Sequence, residues 1–99
     1  MAKNLSNWSG TSFFDLIINC SANKLKEVFG EADAHTENIN EKSQYNWNLQ
    51  TDKGSYFCIY DWKEYREYDD DEKIEWHVGH KLQDMEDITN YLKKIHLLR

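Results

Sequence analysis

Between Trp62 and Ile74 the chain gathers Glu64, Glu67, Asp69, Asp70, Asp71 and Glu72, followed by Glu75. Only Lys63, Arg66 and Lys73 oppose them, and Tyr65 and Tyr68 are interleaved. Two chemistries suit such a run. Alternate residues of an extended segment lie ~7 Å apart, close to the phosphate spacing of about 6–7 Å along one DNA strand. The run could therefore mimic a nucleic acid in the basic groove of a DNA- or RNA-binding enzyme, with fast, salt-sensitive association. Tyrosines bring rigid amphipathic area at small entropy cost, so Tyr65, Arg66 and Tyr68 beside carboxylates also suit a protein-binding loop. The plainer reading is a solvated connection whose charges keep a strand edge from pairing, with each tyrosine packed on the sheet. The run lacks the Asp-x-Asp-x-Asp-Gly order and distal Glu of a calcium loop. The candidate partner-binding residues are therefore Glu64, Tyr65, Arg66, Glu67, Tyr68, Asp69, Asp70, Asp71 and Glu72.

A second candidate surface comes from strand alternation. Tyr56, Cys58 and Tyr60 share one face of a strand with Asn46, Asn48 and His77 from its neighbours, and aromatics on an open sheet can stack bases. That face is nearly devoid of Lys and Arg, which direct nucleic-acid binding requires. Asn46, Tyr56, Tyr60 and His77 are the residues expected to meet a small ligand or nucleotide there. His77 and His80, with Cys58 nearby, suggest zinc only if Gly79 breaks the strand, because residues three apart in a strand face opposite ways. No phosphate loop or nucleophile motif is present, so no catalytic residue, metal or cofactor is assigned. Asp61 near His77 reads as a turn acid.

Composition bounds the partners. The chain has 99 residues and a formal charge of −6, which opposes non-specific binding to nucleic acid or an anionic membrane. No apolar run nears the ~20 residues that span a bilayer, and "MAKNLSNWSG" does not read as a signal peptide. Cys20 and Cys58 are expected to be reduced thiols of a cytoplasmic protein. Four Trp, six Tyr and four Phe supply much burial, at roughly 150–250 Å² per ring.

The elements that must position these residues are legible as one α+β domain over residues 1–99, with 1–10 a loose lead-in. Thr11–Cys20 suits a strand. Ser21 caps a helix that buries Leu25, Val28 and Phe29 and stops at Gly30. Residues 31–43 read as loop. Gln44–Gln50 alternates as a half-buried strand, a turn follows at Thr51–Gly54, and Ser55–Trp62 is a central strand hairpinned to it. Ile74, Trp76 and Val78 point inward from a further strand, with Trp62 and Trp76 expected to anchor the acidic connection. From Asp84, supported by Asp87, a helix runs to Arg99 with Met85, Ile88, Tyr91, Leu92, Ile95 and Leu98 as its stripe. The sum is β-α-β-β-β-α, an antiparallel sheet of three to four strands with helices on one face.

In this order the pieces "GTSF", "KLKEVFGEAD", "YNWNLQTDKGSYFCIYDWKEY" and "EWHVGH" resemble a group of small phage- and prophage-encoded proteins. Its members run from a Thr-Ser-Phe strand through "VFGEP", "TIYDWK" and "WHIGG" to a helix. The resemblance extends over about residues 10–92. Ala32 stands where Pro is usual, His80 where a second Gly is usual, and Cys58 where Thr is. The resemblance implies a non-enzymatic accessory protein working in a bacterial host cytoplasm. An inhibitor of a host nuclease or other defence factor fits that setting. A homodimer through the sheet face or edge is also compatible.

Overall fold

The computed structural model describes residues 12–36, 43–62 and 67–98. Among them, five strands form one antiparallel sheet in the order β1-β5-β4-β3-β2. These are β1 (Ser12–Cys20), β2 (Ala34–His35), β3 (Tyr45–Gln50), β4 (Tyr56–Tyr60) and β5 (Ile74–His80). Helix α1 (Ala22–Phe29) follows β1, and α2 (Met85–Lys94) follows a 3₁₀ turn at Leu82–Asp84. The α+β architecture expected from the sequence is present, with one strand more: the segment read as loop contributes β2. Two residues carry no periodicity, and β2 exists because Ala34 and His35 pair with Asn46 and Tyr45.

Register places the alternating strands on common faces. Trp47 lies opposite Ile59, and Ile59 opposite Val78, while Ile18 lies opposite Trp76. These side chains are almost fully buried and join Ala22 and Leu25 of α1 with Ile88 and Leu92 of α2 in one cluster. Both helices therefore cover the same face. Two buried indoles also donate hydrogen bonds, Trp76 Nε1 to the Cys20 carbonyl at 2.9 Å and Trp47 Nε1 to the Gly30 carbonyl at 3.0 Å. The two bonds hold the chain on either side of α1 against the sheet and leave neither indole N–H unpaired.

The helix ends follow local chemistry. Ser21 Oγ accepts from Lys24 N at 3.1 Å, as an N-cap should. Gly30 closes α1 at φ 81°, and Gly54 turns the β3–β4 hairpin at φ 97°, conformations open to glycine at little cost. Helix α2 stops at Lys94, short of the expected Arg99. His96 turns left-handed at φ 64°, and Leu97 N reaches the Leu92 carbonyl at 2.9 Å while His96 N reaches that of Lys93 at 3.1 Å. This is a Schellman closure, and it brings Leu97 into the core beside Leu92. Asp84 stands at the N-cap without a side-chain hydrogen bond. Asp87 accepts from Thr51 Oγ1 at 2.7 Å, tying α2 to the hairpin turn.

No helix among the described residues is long and apolar enough to cross a membrane. Cys20 and Cys58 are not joined in a disulfide: Cys20 shares the inner face with Trp76, and Cys58 lies opposite Gly79 on the outer one. Gly79 does not interrupt β5, so His80 is fully buried on the helix side while His77 sits half-buried across the sheet. His80 Nδ1 donates to the Lys81 carbonyl at 2.7 Å.

Candidate functional site

Asp61, read as a turn acid near His77, is 1% exposed on the inner side of the sheet. Its Oδ1 accepts from the amides of Gln44 and Tyr45, both at 2.8 Å, and from Ser43 Oγ at 3.3 Å. Oδ2 accepts from the Tyr68 hydroxyl at 3.0 Å. The carboxylate thus satisfies the start of β3 and holds the far connection against it. His77 lies on the opposite face of the sheet.

This anchoring draws part of the acidic run into the fold. Tyr68 packs on the core cluster, so it serves the plain reading of a tyrosine laid on the sheet. Asp70 Oδ2 accepts from Lys26 Nζ at 3.0 Å, and its Oδ1 from the Tyr45 hydroxyl at 2.9 Å. The Asn23 amide donates to the Asp70 carbonyl at 2.9 Å, and Asn23 Nδ2 to Asp71 Oδ1 at 2.6 Å. Glu72 N bonds back to the Asp69 carbonyl at 3.0 Å, which makes a turn of residues 69–72. A turn cannot present carboxylates at the even rise of an extended strand. The phosphate-ladder geometry is therefore not what these acids adopt. Glu64, Tyr65 and Arg66 lie outside the described residues.

What these contacts build is a cleft of about 720 Å³ on the helix side of the sheet. One wall is the C-terminal end of α1 with Lys26, Glu31 and Ala32, another is β2–β3 with His35, Gln44 and Tyr45, and the third is Glu67–Glu72. Glu31, Glu67, Asp69 and Glu72 are exposed around it. His35 and Tyr45 are register partners, and their rings stack with centroids 4.0 Å apart and planes 8° from parallel. Lys26 Nζ lies 5.4 Å from the Tyr45 ring centroid, within cation–π range.

The charges of the cleft are tuned by these neighbours. The Lys26 hydrogen bond, aided by that of Tyr45, holds the Asp70 carboxyl below its ordinary value. The same bond raises Lys26. Burial, then the hydrogen bond to Asp70, raises the Tyr45 phenol. The carbonyl end of α1 adds a partial negative charge of about half a unit at the same wall.

The second candidate surface is assembled as the alternation implied. Asn46, Tyr60 and His77 lie in one cross-strand row, with Asn48 and Cys58 in the next and Gln50 opposite Tyr56 in the third. Trp62, expected to anchor the acidic connection, is 40% exposed instead. It joins the outer face, 5.9 Å from the Tyr60 ring and 6.5 Å from that of His77. The true anchors on the inner side are Trp76 and Asp61.

Lys26, Glu31 and His35 of the cleft were not singled out from the sequence. Lys26 is a polar-face helix residue and His35 lies in an aperiodic stretch, so neither has a local signal. No protein-family model, curated protein or solved structure matches the chain.

Proposed function

We propose that this protein is a non-enzymatic binding module that holds a basic surface of a protein partner against the acidic cleft. The observation that carries the reading is the fixed frame beneath the exposed acids of the cleft. Asp61, Asp70 and Asp71 are engaged in fixing residues 67–72 to α1 and β3. Glu31, Glu67, Asp69 and Glu72 line the concavity so formed and are exposed to solvent. Charges held on a fixed frame bind with less ordering cost than charges on a free loop. On the resemblance to phage-encoded proteins, the partner is a host protein of the bacterial cytoplasm, with a nucleic-acid-processing enzyme or defence factor as target and inhibition as outcome.

The test is capture from bacterial lysate at low and high salt, comparing the native protein with Glu67→Gln/Asp69→Asn/Glu72→Gln. These substitutions leave Asp61, Asp70 and Asp71 in place. A specific partner held at low salt, released at high salt and lost with the variant supports the reading. A partner held equally by both proteins sinks it.

A second reading rests on the ring cluster of Tyr60, Trp62 and His77, with centroids 5.7–6.5 Å apart. It makes the outer face a small-ligand or nucleotide-binding surface. Thermal unfolding against a nucleotide panel decides it, because a ligand bound only to the native state must raise the midpoint. No shift with any nucleotide removes it.

A further inference from the structure

The cleft already shows what it does with a cation. Lys26 Nζ is seated 5.4 Å from the centre of the Tyr45 ring and 3.0 Å from Asp70 Oδ2. That arrangement combines an aromatic face and a carboxylate around one ammonium, supplied by the chain itself. The point-charge seat at Asp70 is thus filled.

Among the described residues, no cation is seated in this way on a second aromatic surface of the cleft. His35 stacks on Tyr45 with one ring face, and the residue is exposed and lines the cavity. Glu31 at the end of α1 and Asp69 on the opposite wall are exposed carboxylates of the same cavity. A planar ring beside carboxylates on two walls matches a guanidinium better than an ammonium. Guanidinium stacks flat on a ring while its in-plane N–H groups donate to carboxylates, whereas a lysine ammonium is compact and strongly hydrated.

We infer that the cleft takes an arginine side chain of the partner, its guanidinium laid on the His35–Tyr45 stack and its N–H groups directed to Glu31 and Asp69. This deepens the reading of the cleft as a protein-binding site and rests on it. The partner segment is accordingly arginine-bearing, and the specificity is for guanidinium over ammonium, where charge alone would treat them alike.

The experiment titrates isotope-labelled protein with hexa-arginine and separately with hexalysine at pH 8 and low salt, reading amide shifts and affinity. Hexa-arginine is expected to bind about five-fold more tightly, the scale of one stacking contact, with shifts centred on Glu31, His35 and Asp69. In His35→Ala, checked for an unchanged spectrum elsewhere, the two peptides should bind alike. Should that variant not fold, Glu31→Gln is the second probe, weakening hexa-arginine more than hexalysine. Equal affinities in the native protein, a preference that survives His35→Ala, shifts centred elsewhere, or no binding of either peptide each overturn the inference. Equal but salt-sensitive binding would overturn it alone, whereas the reading of the cleft as a partner site fails only in the lysate comparison.

Discussion

The hydroxyl of Tyr68 donates a 3.0 Å hydrogen bond to the buried carboxylate of Asp61. A residue of the acidic connection is thereby fastened to the end of β4, through a group that also accepts from the amides of Gln44 and Tyr45 where β3 begins. The connection is a component of the fold at this point and a candidate interface only beyond it.

Removing Asp61 should therefore be costly. Asp61→Ala leaves the buried amides of Gln44 and Tyr45 without their acceptor and frees Tyr68, so we expect a loss of about 3 kcal/mol. Tyr68→Phe deletes one hydrogen bond to a charged group and should cost about 1–2 kcal/mol. Urea unfolding followed by tryptophan fluorescence measures both. A near-neutral Asp61→Ala would show that the carboxylate does not organise β3.

Acid should weaken the protein through Asp70 and Asp87. Hydrogen bonds from Lys26 and Tyr45 hold Asp70 below the ordinary value of 3.8, and those of Ser55 and Thr51 do so for Asp87. Near pH 3.8 the unfolded chain then binds more protons than the folded one, so stability rises with pH through this window. The contribution is complete above about pH 5 and disappears as the pH falls through the lowered folded values. Asp70→Asn should lose less stability than the native protein between pH 6 and pH 3. An equal loss would remove Asp70 from the acid response.

The two thiols should react at different rates. Burial pushes the Cys20 thiol up to about 11, so on the order of one in a thousand is thiolate at pH 8. Cys58 is half-buried on the outer face. Alkylation of the native protein at pH 8, read by peptide mass, should label Cys58 well before Cys20. Equal rates would mean that Cys20 is reached by frequent opening of the β1–β5 edge.

His96 occupies a position that favours glycine. Its φ of 64° carries a side-chain penalty that glycine avoids, partly offset by the larger entropy of an unfolded glycine. His96→Gly should stabilise by about 0.5–1 kcal/mol, raising Tm by roughly 3–6 °C. A lower Tm would mean that the imidazole itself contributes at the helix end.

The parts of the fold written in the sequence are those governed by neighbours a few residues away. Gln44–Gln50 alternates because one face of a strand is buried, and Ser21 and Gly30 bound α1 because their chemistry suits its ends. The outer-face row of Asn46, Tyr60 and His77 could be read for the same reason: a period of two assigns faces before any pairing is known. The length of α2 was less legible, since an apolar stripe continues through Leu98 whether the backbone stays helical or turns at His96 to bury Leu97.

Tertiary structure alone decided which acids are structural. Asp70 meets Lys26 across 44 residues and Tyr45 across 25, and Tyr68 closes on Asp61 around the turn of the connection. No local pattern separates Asp70 from Asp69, because composition sees charge while the fold distributes partners. The same long-range pairing made β2 and stacked His35 on Tyr45. From the sequence the chain has an acidic connection of undecided role; the pairing of distant residues made Tyr68, Asp70 and Asp71 part of the scaffold and placed Glu67, Asp69 and Glu72 along a cleft.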